Sequence, residues 1–366
     1  MNLITKITAV QGWFIEPSAA EIWAREAAIQ SSQPITPAVV RATSIARRAD
    51  IIAKAARVYR GNGENVEYDA LKQMPTKGDV VQKDGEEYGN IGIVYLRGEM
   101  VYEETWCRKN TEGTIQELQE MGNDPRIRGV MLVVNSPGGQ VTGTERLANL
   151  VRDYSNLYKK KIFAYVEGMA CSAAYWAISG ATKIILAENS CILGSIGTMI
   201  NFLDFGKFWD KNGVNEITVR ASLSFNKGKA FDDAIDGKPE TMRREMLDPT
   251  NANFLNGLKK NRGAKLGIKD LDISSLTTDN VPELLTGRVY VGQEAIDIGL
   301  ADRVAKGDLV DELRNAQQWQ RVDAPENNLQ VVETTKTTES LAATEQPQRR
   351  LKTGELKELK LIIPKG

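Results

Sequence analysis

From about residue 89 the chain falls into short apolar runs closed by turn residues or charges. These are 91–96 (IGIVYL), 129–134 (GVMLVV), 161–166 (KIFAYV) and 183–187 (KIILA). Runs of this length and bounding fit strands buried on both faces. Between them lie helical patterns over 113–121 and 142–159. In the second, Leu147, Leu150, Val151, Tyr154 and Leu157 share one face. Strand alternating with helix predicts an α/β fold with a largely parallel sheet.

Residues 1–86 have a different texture and read as a helical N-terminal extension and linker. Ser18 and Glu21 make a capping-box pattern after Pro17, opening a helix through Ile22, Trp23 and Ala27. Thr36-Pro37 opens a second helix, which carries Val40, Ile51, Ile52, Ala55 and Val58 and closes at Gly61-Asn62-Gly63. Arg41, Arg47, Arg48, Lys54, Arg57 and Arg60 on that helix face only Asp50. They form either a solvated basic face or an interaction surface. Residues 73–88, polar with Pro and Gly, read as a linker. The α/β domain then spans 87–305. Residues 306–366 read as a helix remnant followed by a flexible polar tail, because a Thr-, Glu- and Gln-rich segment cannot bury enough apolar surface to order itself. Leu356, Leu359, Ile362 and Ile363 near the end, set among lysines, are a docking element or a frayed terminus.

Charge and composition narrow the function classes. Lys+Arg 47 against Asp+Glu 48 leaves a net charge of -1. That balance gives no field for nucleic acid or an anionic membrane. No basic region followed by an apolar run opens the sequence, and no stretch nears the ~20 apolar residues that span a bilayer. A cytoplasmic setting is expected, without a membrane span. Cys107, Cys171 and Cys191 are in no metal-ligand spacing and read as reduced thiols. Cys171 reads as a small buried hydrophobe rather than a thiol nucleophile. The chain has His 0. A Ser-His-Asp triad, a histidine-based catalytic zinc site and a histidine-ligated haem are therefore excluded. No metal or cofactor is expected.

Three segments carry candidate chemistry. Asn135-Ser136-Pro137-Gly138-Gly139 follows a strand, where sites form in open α/β sheets. Its glycines either make a tight turn or present N–H groups to a developing oxyanion. Ser172, in Gly168-Met169-Ala170-Cys171-Ser172-Ala173-Ala174-Tyr175-Trp176, sits at a helix start. It is a plain N-cap or a nucleophile favoured by free N–H groups. Tyr175 and Trp176 read as core. The turn Leu193-Gly194-Ser195-Ile196-Gly197-Thr198 lines the same cleft or is a glycine-rich connection. Without histidine, a nucleophilic serine needs another base, and a lysine pushed to lose its charge is the leading candidate.

Taken in order, NSPGG, the serine among small residues before Tyr-Trp, GSIG, and residues 287–302 (GRVYVGQEAIDIGLAD) resemble the signal peptide peptidase (protease IV) family of serine peptidases. The resemblance covers roughly 89–305 and is nearer to the phage head-maturation branch, given the N-terminal extension and polar tail. It implies the superhelical Clp protease/crotonase fold and a Ser-Lys dyad endopeptidase. Ser172 matches the nucleophile. The base lies in 219–230 (VRASLSFNKGKA), where Lys227 matches the phage-type pattern and Lys229 is the alternative, each with a solvated surface lysine as its plain reading. Gly138, Gly139, Ala173, Gly194 and Ser195 would supply oxyanion and substrate contacts. The resemblance further implies protein or peptide substrates, including capsid or scaffold proteins, in a host cytoplasm or prohead. It implies a homo-oligomer in which serine and lysine come from different subunits. A signal-peptide-degrading peptidase, a crotonase-type acyl-CoA enzyme and a catalytically silent assembly scaffold are the alternatives.

Overall fold

The computed structural model describes residues 56–102, 110–202, 204, 206–213 and 217–318, and the main chain of 13–15. The strands, in chain order, are β1 (Trp13–Ile15), β2 (Arg57–Tyr59), β3 (Asn65–Glu67), β4 (Val80–Lys83), β5 (Glu86–Arg97), β6 (Ile127–Ser136), β7 (Gly138–Gln140), β8 (Lys161–Cys171), β9 (Lys183–Leu186), β10 (Ile192–Gly194), β11 (Val289–Val291) and β12 (Arg303–Val304).

Strands β5, β6 and β8 lie side by side and parallel and contain the first three expected apolar runs, while the fourth, 183–187, runs one residue past β9. Both faces of this sheet are buried. Val130, Leu132 and Val134 join one core, while Met131 and Val133 join the other. Successive strand residues point to opposite faces, so a continuous apolar run fills both. Helices Thr111–Asn123, Thr144–Tyr158 and Ala173–Ile178 cover the first face. Helix Leu309–Gln317 covers the second with Leu313 and Ala316, opened by a capping box between Asp308 and Asp311.

β8 holds the geometry of the site. Its first half pairs with β9 over Phe163–Val166, and its last three residues pair with β10. Between them the β6–β8 register shifts, from Val134↔Val166 to Ser136↔Ala170. Residues 167–171, beyond the apolar run 161–166, therefore stay in the strand. The Oδ1 of Asn135 accepts the Met169 N–H at 3.3 Å, and β10 supplies a fresh partner edge. A strand that changes partners midway opens a second plane, and Ser172 sits at its end.

Two expectations upstream are corrected. Residues 57–59 form a strand rather than the end of a helix, and Gly61-Asn62-Gly63 turns β2 into β3. β2 pairs antiparallel with β5 and buries Val58 fully, so sheet pairing overrides the helical spacing. The linker 73–88 contains β4, joined to β5 by an Asp84-Gly85 turn with φ of 54° and 81°, the left-handed values of a two-residue hairpin. The helices expected over 18–27 and 36–55, and the tail beyond 318, lie outside the described residues.

After β10 the chain makes an excursion and returns as β11, antiparallel to β10. The excursion includes helices Gly206–Lys211, Lys229–Ile235 and Glu240–Met242, then a π-helical turn Arg243–Leu247 running into helix Asp248–Arg262. Phe254 stacks on Trp176 at 5.0 Å and fastens this excursion to the helix after Ser172. Among the described residues no helix is long and apolar enough to cross a membrane.

Asp302 closes the domain electrostatically. It accepts the Ile184 N–H at 2.7 Å, pairs with Lys265, and faces Arg262 at 3.1 Å. Burial alone would raise its carboxyl. The Lys265 hydrogen bond, the Ile184 N–H and the Arg262 charge outweigh burial and hold it below the ordinary carboxylate range. A carboxyl lowered on folding adds stability above its unfolded pKa of about 3.9, and that stability is lost as pH falls through the lower folded value. We expect Asp302→Asn to cost about 3 kcal/mol at pH 7, by leaving Arg262 buried without its counter-charge. The difference from wild type should shrink in urea unfolding below about pH 4. An unchanged difference at acid pH would show that the charge is not what matters there.

Candidate active site

Ser172 is the first residue after β8 and the residue before helix Ala173–Ile178. Its main chain has φ 55° and ψ -121°, and its side chain is almost fully buried, with 1% of the residue exposed. A non-glycine residue held at positive φ is strained, and such strain persists only where the surroundings impose it. Here the Ser172 N–H donates to the Gly194 carbonyl at 2.8 Å, while its own carbonyl accepts the Trp176 N–H at 3.0 Å. The side chain makes no capping hydrogen bond. The plain N-cap reading therefore does not describe it. The conformation is a sharp strand-to-helix turn of the kind found at a nucleophile elbow.

The glycine pair lies on β7, against which helix Ala173–Ile178 packs. Met100 brackets the strand: its N–H donates to the Gly138 carbonyl and its carbonyl accepts the Gln140 N–H, each at 2.8 Å. A Cβ on Gly139, whose φ is 152°, would stand 2.1 Å from the Met100 carbonyl oxygen, so no other residue fits. The Gly138 N–H donates to the Ser136 Oγ at 3.2 Å. Strand alternation turns the Gly139 N–H towards the opposite edge. At the helix start, geometry leaves the Ala173 N–H without a carbonyl inside the helix. Gly139, whose N–H faces the β1 edge of β7, and Ala173 thus offer the N–H donors that neither Met100, Ser136 nor the helix takes.

Gly194 and Ser195 also lie beside Ser172, with their main chain engaged. The Gly194 carbonyl holds Ser172, and the Ser195 N–H donates to the Arg288 carbonyl at 2.8 Å. Their φ values of 110° and 50° set a turn that ties β10 to β11. Sequence reasoning passed over Asn135, Ser136 and Met100 as supports. The first two were visible as the start of NSPGG, whereas Met100 carries no local signal. Cys171 is fully buried, as befits a small hydrophobe, and burial pushes the Cys191 thiol up.

Neither candidate lysine is bonded to this cluster among the described residues. Both are exposed, and among the described residues no hydrogen bond or ion pair joins either to Ser172. The Lys229 Nζ donates to Asp233 Oδ1 at 2.8 Å. That hydrogen bond, reinforced by the carboxylate's charge, raises the lysine above its ordinary value. The Lys227 carbonyl accepts from Arg220, which also pairs with Asp232 at 2.5 Å. Just upstream, Ile217, Val219, Leu223 and Phe225 point apolar side chains into solvent, with 83%, 87%, 94% and 70% exposure.

Residues 156–322 match the family model of peptidase family S49, and residues 86–194 match that of Clp protease. The two matches overlap across β8 and Ser172. The sheet and its covering helices form an α/β domain of the Clp protease type, and the family matches support a peptidase. Over residues 156–322 the chain is similar to peptidase family S49. Among curated relatives, a putative protease of Methanocaldococcus jannaschii is 29% identical over 70% of this chain and 78% of its own. The capsid assembly protease C of Escherichia phage lambda is 30% identical over 62% of this chain and 47% of its own. A putative signal peptide peptidase of Enterococcus faecium is 26% identical over 56% of each. The chain thus spans about half the length of the latter two. A solved peptidase from Plasmodium falciparum shares 15% identity with a TM-score of 0.34, covering 58% of this chain and 95% of its own.

Proposed function

We propose that this chain is a serine endopeptidase whose nucleophile is Ser172 and whose base is Lys227, with the site completed by assembly of several copies. The observation that carries the reading is the buried serine in a strained main-chain conformation beside the Gly139 and Ala173 N–H donors. In the cycle, neutral Lys227 takes the Ser172 proton as the oxygen attacks a peptide carbonyl. The Gly139 and Ala173 N–H groups receive the oxyanion. Lysine then protonates the leaving amine, and water releases the acyl-enzyme.

A lysine base must be neutral near pH 7, although its free pKa is about 10.4. Lowering it to about 7–8 disfavours the charged form by roughly 4 kcal/mol. Lys229 is moved the wrong way by Asp233, which supports Lys227. Lys227 has no carboxylate partner among the described residues. It lacks burial, and the exposed apolar side chains upstream supply the means: packed against another copy, they would exclude water around it. The phage relatives, named for capsid assembly and as a head-tail preconnector protein, support capsid maturation as the setting and capsid or scaffold chains as substrates. Reaction with a fluorophosphonate probe tests the nucleophile. We expect labelling at Ser172 and turnover of a fluorogenic peptide but not of an acyl-CoA. Acyl-CoA turnover with an unlabelled Ser172 would replace this reading with a crotonase-type one.

A further inference from the structure

β1 pairs with the strand that carries the glycine pair. It pairs antiparallel with β7, with Trp13 opposite Gln140, Phe14 opposite Gly139 and Ile15 opposite Gly138. The neighbouring groups of β7, the Gly138 carbonyl and the Gln140 N–H, are taken by Met100. Alternation along the strand therefore turns both the N–H and the carbonyl of Gly139 to the β1 edge. In a hydrogen-bonded antiparallel pair the two opposed residues exchange both bonds. The acceptor of the Gly139 N–H is thus the carbonyl of Phe14.

We infer that the chain is its own first substrate and that Ser172 cuts the Phe14–Ile15 bond. The inference rests on the serine peptidase reading above. In that reading the Gly139 N–H is an oxyanion donor, and the carbonyl held by such a donor is the one attacked. The Ser172 Oγ bonds to the Phe14 carbonyl carbon as its proton passes to the lysine amine. The carbon–nitrogen bond to Ile15 then breaks, and the lysine proton goes to the new Ile15 amine. Water hydrolyses the Phe14 ester, leaving a carboxylate and restoring the serine hydroxyl. Until the cut segment leaves, other peptides compete for β7 with a strand tethered to the same chain, at high effective concentration.

Intact-mass measurement and N-terminal sequencing of the purified full-length chain, followed over time, test this. We expect loss of residues 1–14 and a new terminus at Ile15. Ser172→Ala should keep its whole N-terminus. Phe14→Pro removes the N–H that pairs with Gly139 and should block this cut, while Phe14→Ala keeps that N–H and should be processed. A chain that hydrolyses a fluorogenic peptide yet retains the Phe14–Ile15 bond overturns the inference alone. So does one that cuts itself only at another bond. If no form cleaves the peptide and Ser172 takes no fluorophosphonate, the serine peptidase reading has failed and takes the inference with it.

Discussion

Lys227→Ala should lower kcat/KM on a peptide substrate by on the order of 10³-fold or more, while Lys229→Ala keeps most of it. Loss of either member of a nucleophile–base pair costs about as much as loss of both, because the two act as one unit. Ser172→Ala should fall equally far, and the double variant no further. Lys227→Arg should be as poor as alanine, since guanidinium keeps its proton at any working pH. Lys229 has a different task. Its bond to Asp233 spans one turn of helix Lys229–Ile235 on the surface, and such exposed pairs contribute little to stability. The pH profile carries an independent sign. Activity that depends on a neutral lysine rises with pH through that lysine's pKa in the assembled enzyme. Lys229→Ala should leave this rise in place. The outcome that reassigns the base is full activity in Lys227→Ala with loss in Lys229→Ala.

The parts of this protein that were legible in its sequence are those where one residue type does one job. The parallel strands read as unbroken apolar runs because both faces of the sheet are covered, as at Met131 and Leu132, which fall in opposite cores. β2 and β4 were misread because they are short and only partly buried. Of the three residues of β2, only Val58 is completely buried, and β4 exposes three of its four. Their register against β5, a tertiary fact, supplies what the local pattern lacks. Ser172 and the glycine pair were legible because close main-chain approach tolerates few residues. The strain at Ser172 was not, since positive φ at a serine leaves no compositional mark. β1 was invisible for a simpler reason. Three residues, Trp-Phe-Ile, are too few for a period, and only pairing with β7 gives them meaning. The exposure of both lysines follows from their place in the excursion between β10 and β11, whose outer surface periodicity does not describe.

Mixing two inactive variants should restore activity. Ser172→Ala chains carry the lysine, and Lys227→Ala chains carry the serine. If neighbouring copies share a site, random reassembly of equal amounts gives each site the intact serine half the time and the intact lysine half the time. Recovery to about a quarter of wild-type activity follows, as for a head-to-tail ring interface that joins unlike surfaces. The physical reason to expect sharing is the segment that carries the base. Ile217, Val219, Leu223 and Phe225 expose apolar side chains within ten residues of Lys227. Burying each would contribute roughly 1.5–3 kcal/mol, and together they offset much of the 4–15 kcal/mol that association costs in lost freedom. The same packing would exclude water from the amine, linking assembly to the pKa shift that catalysis needs. A charged substitution tests that link. Leu223→Glu should weaken assembly in sedimentation and lower activity in parallel, although Leu223 touches neither reacting group. Wild-type protein dissociated and reassembled in the same way is the control for the mixture. If that control regains full activity while the mixture stays inactive, each lysine serves the serine of its own chain, and the excursion must fold back over β10 to reach it.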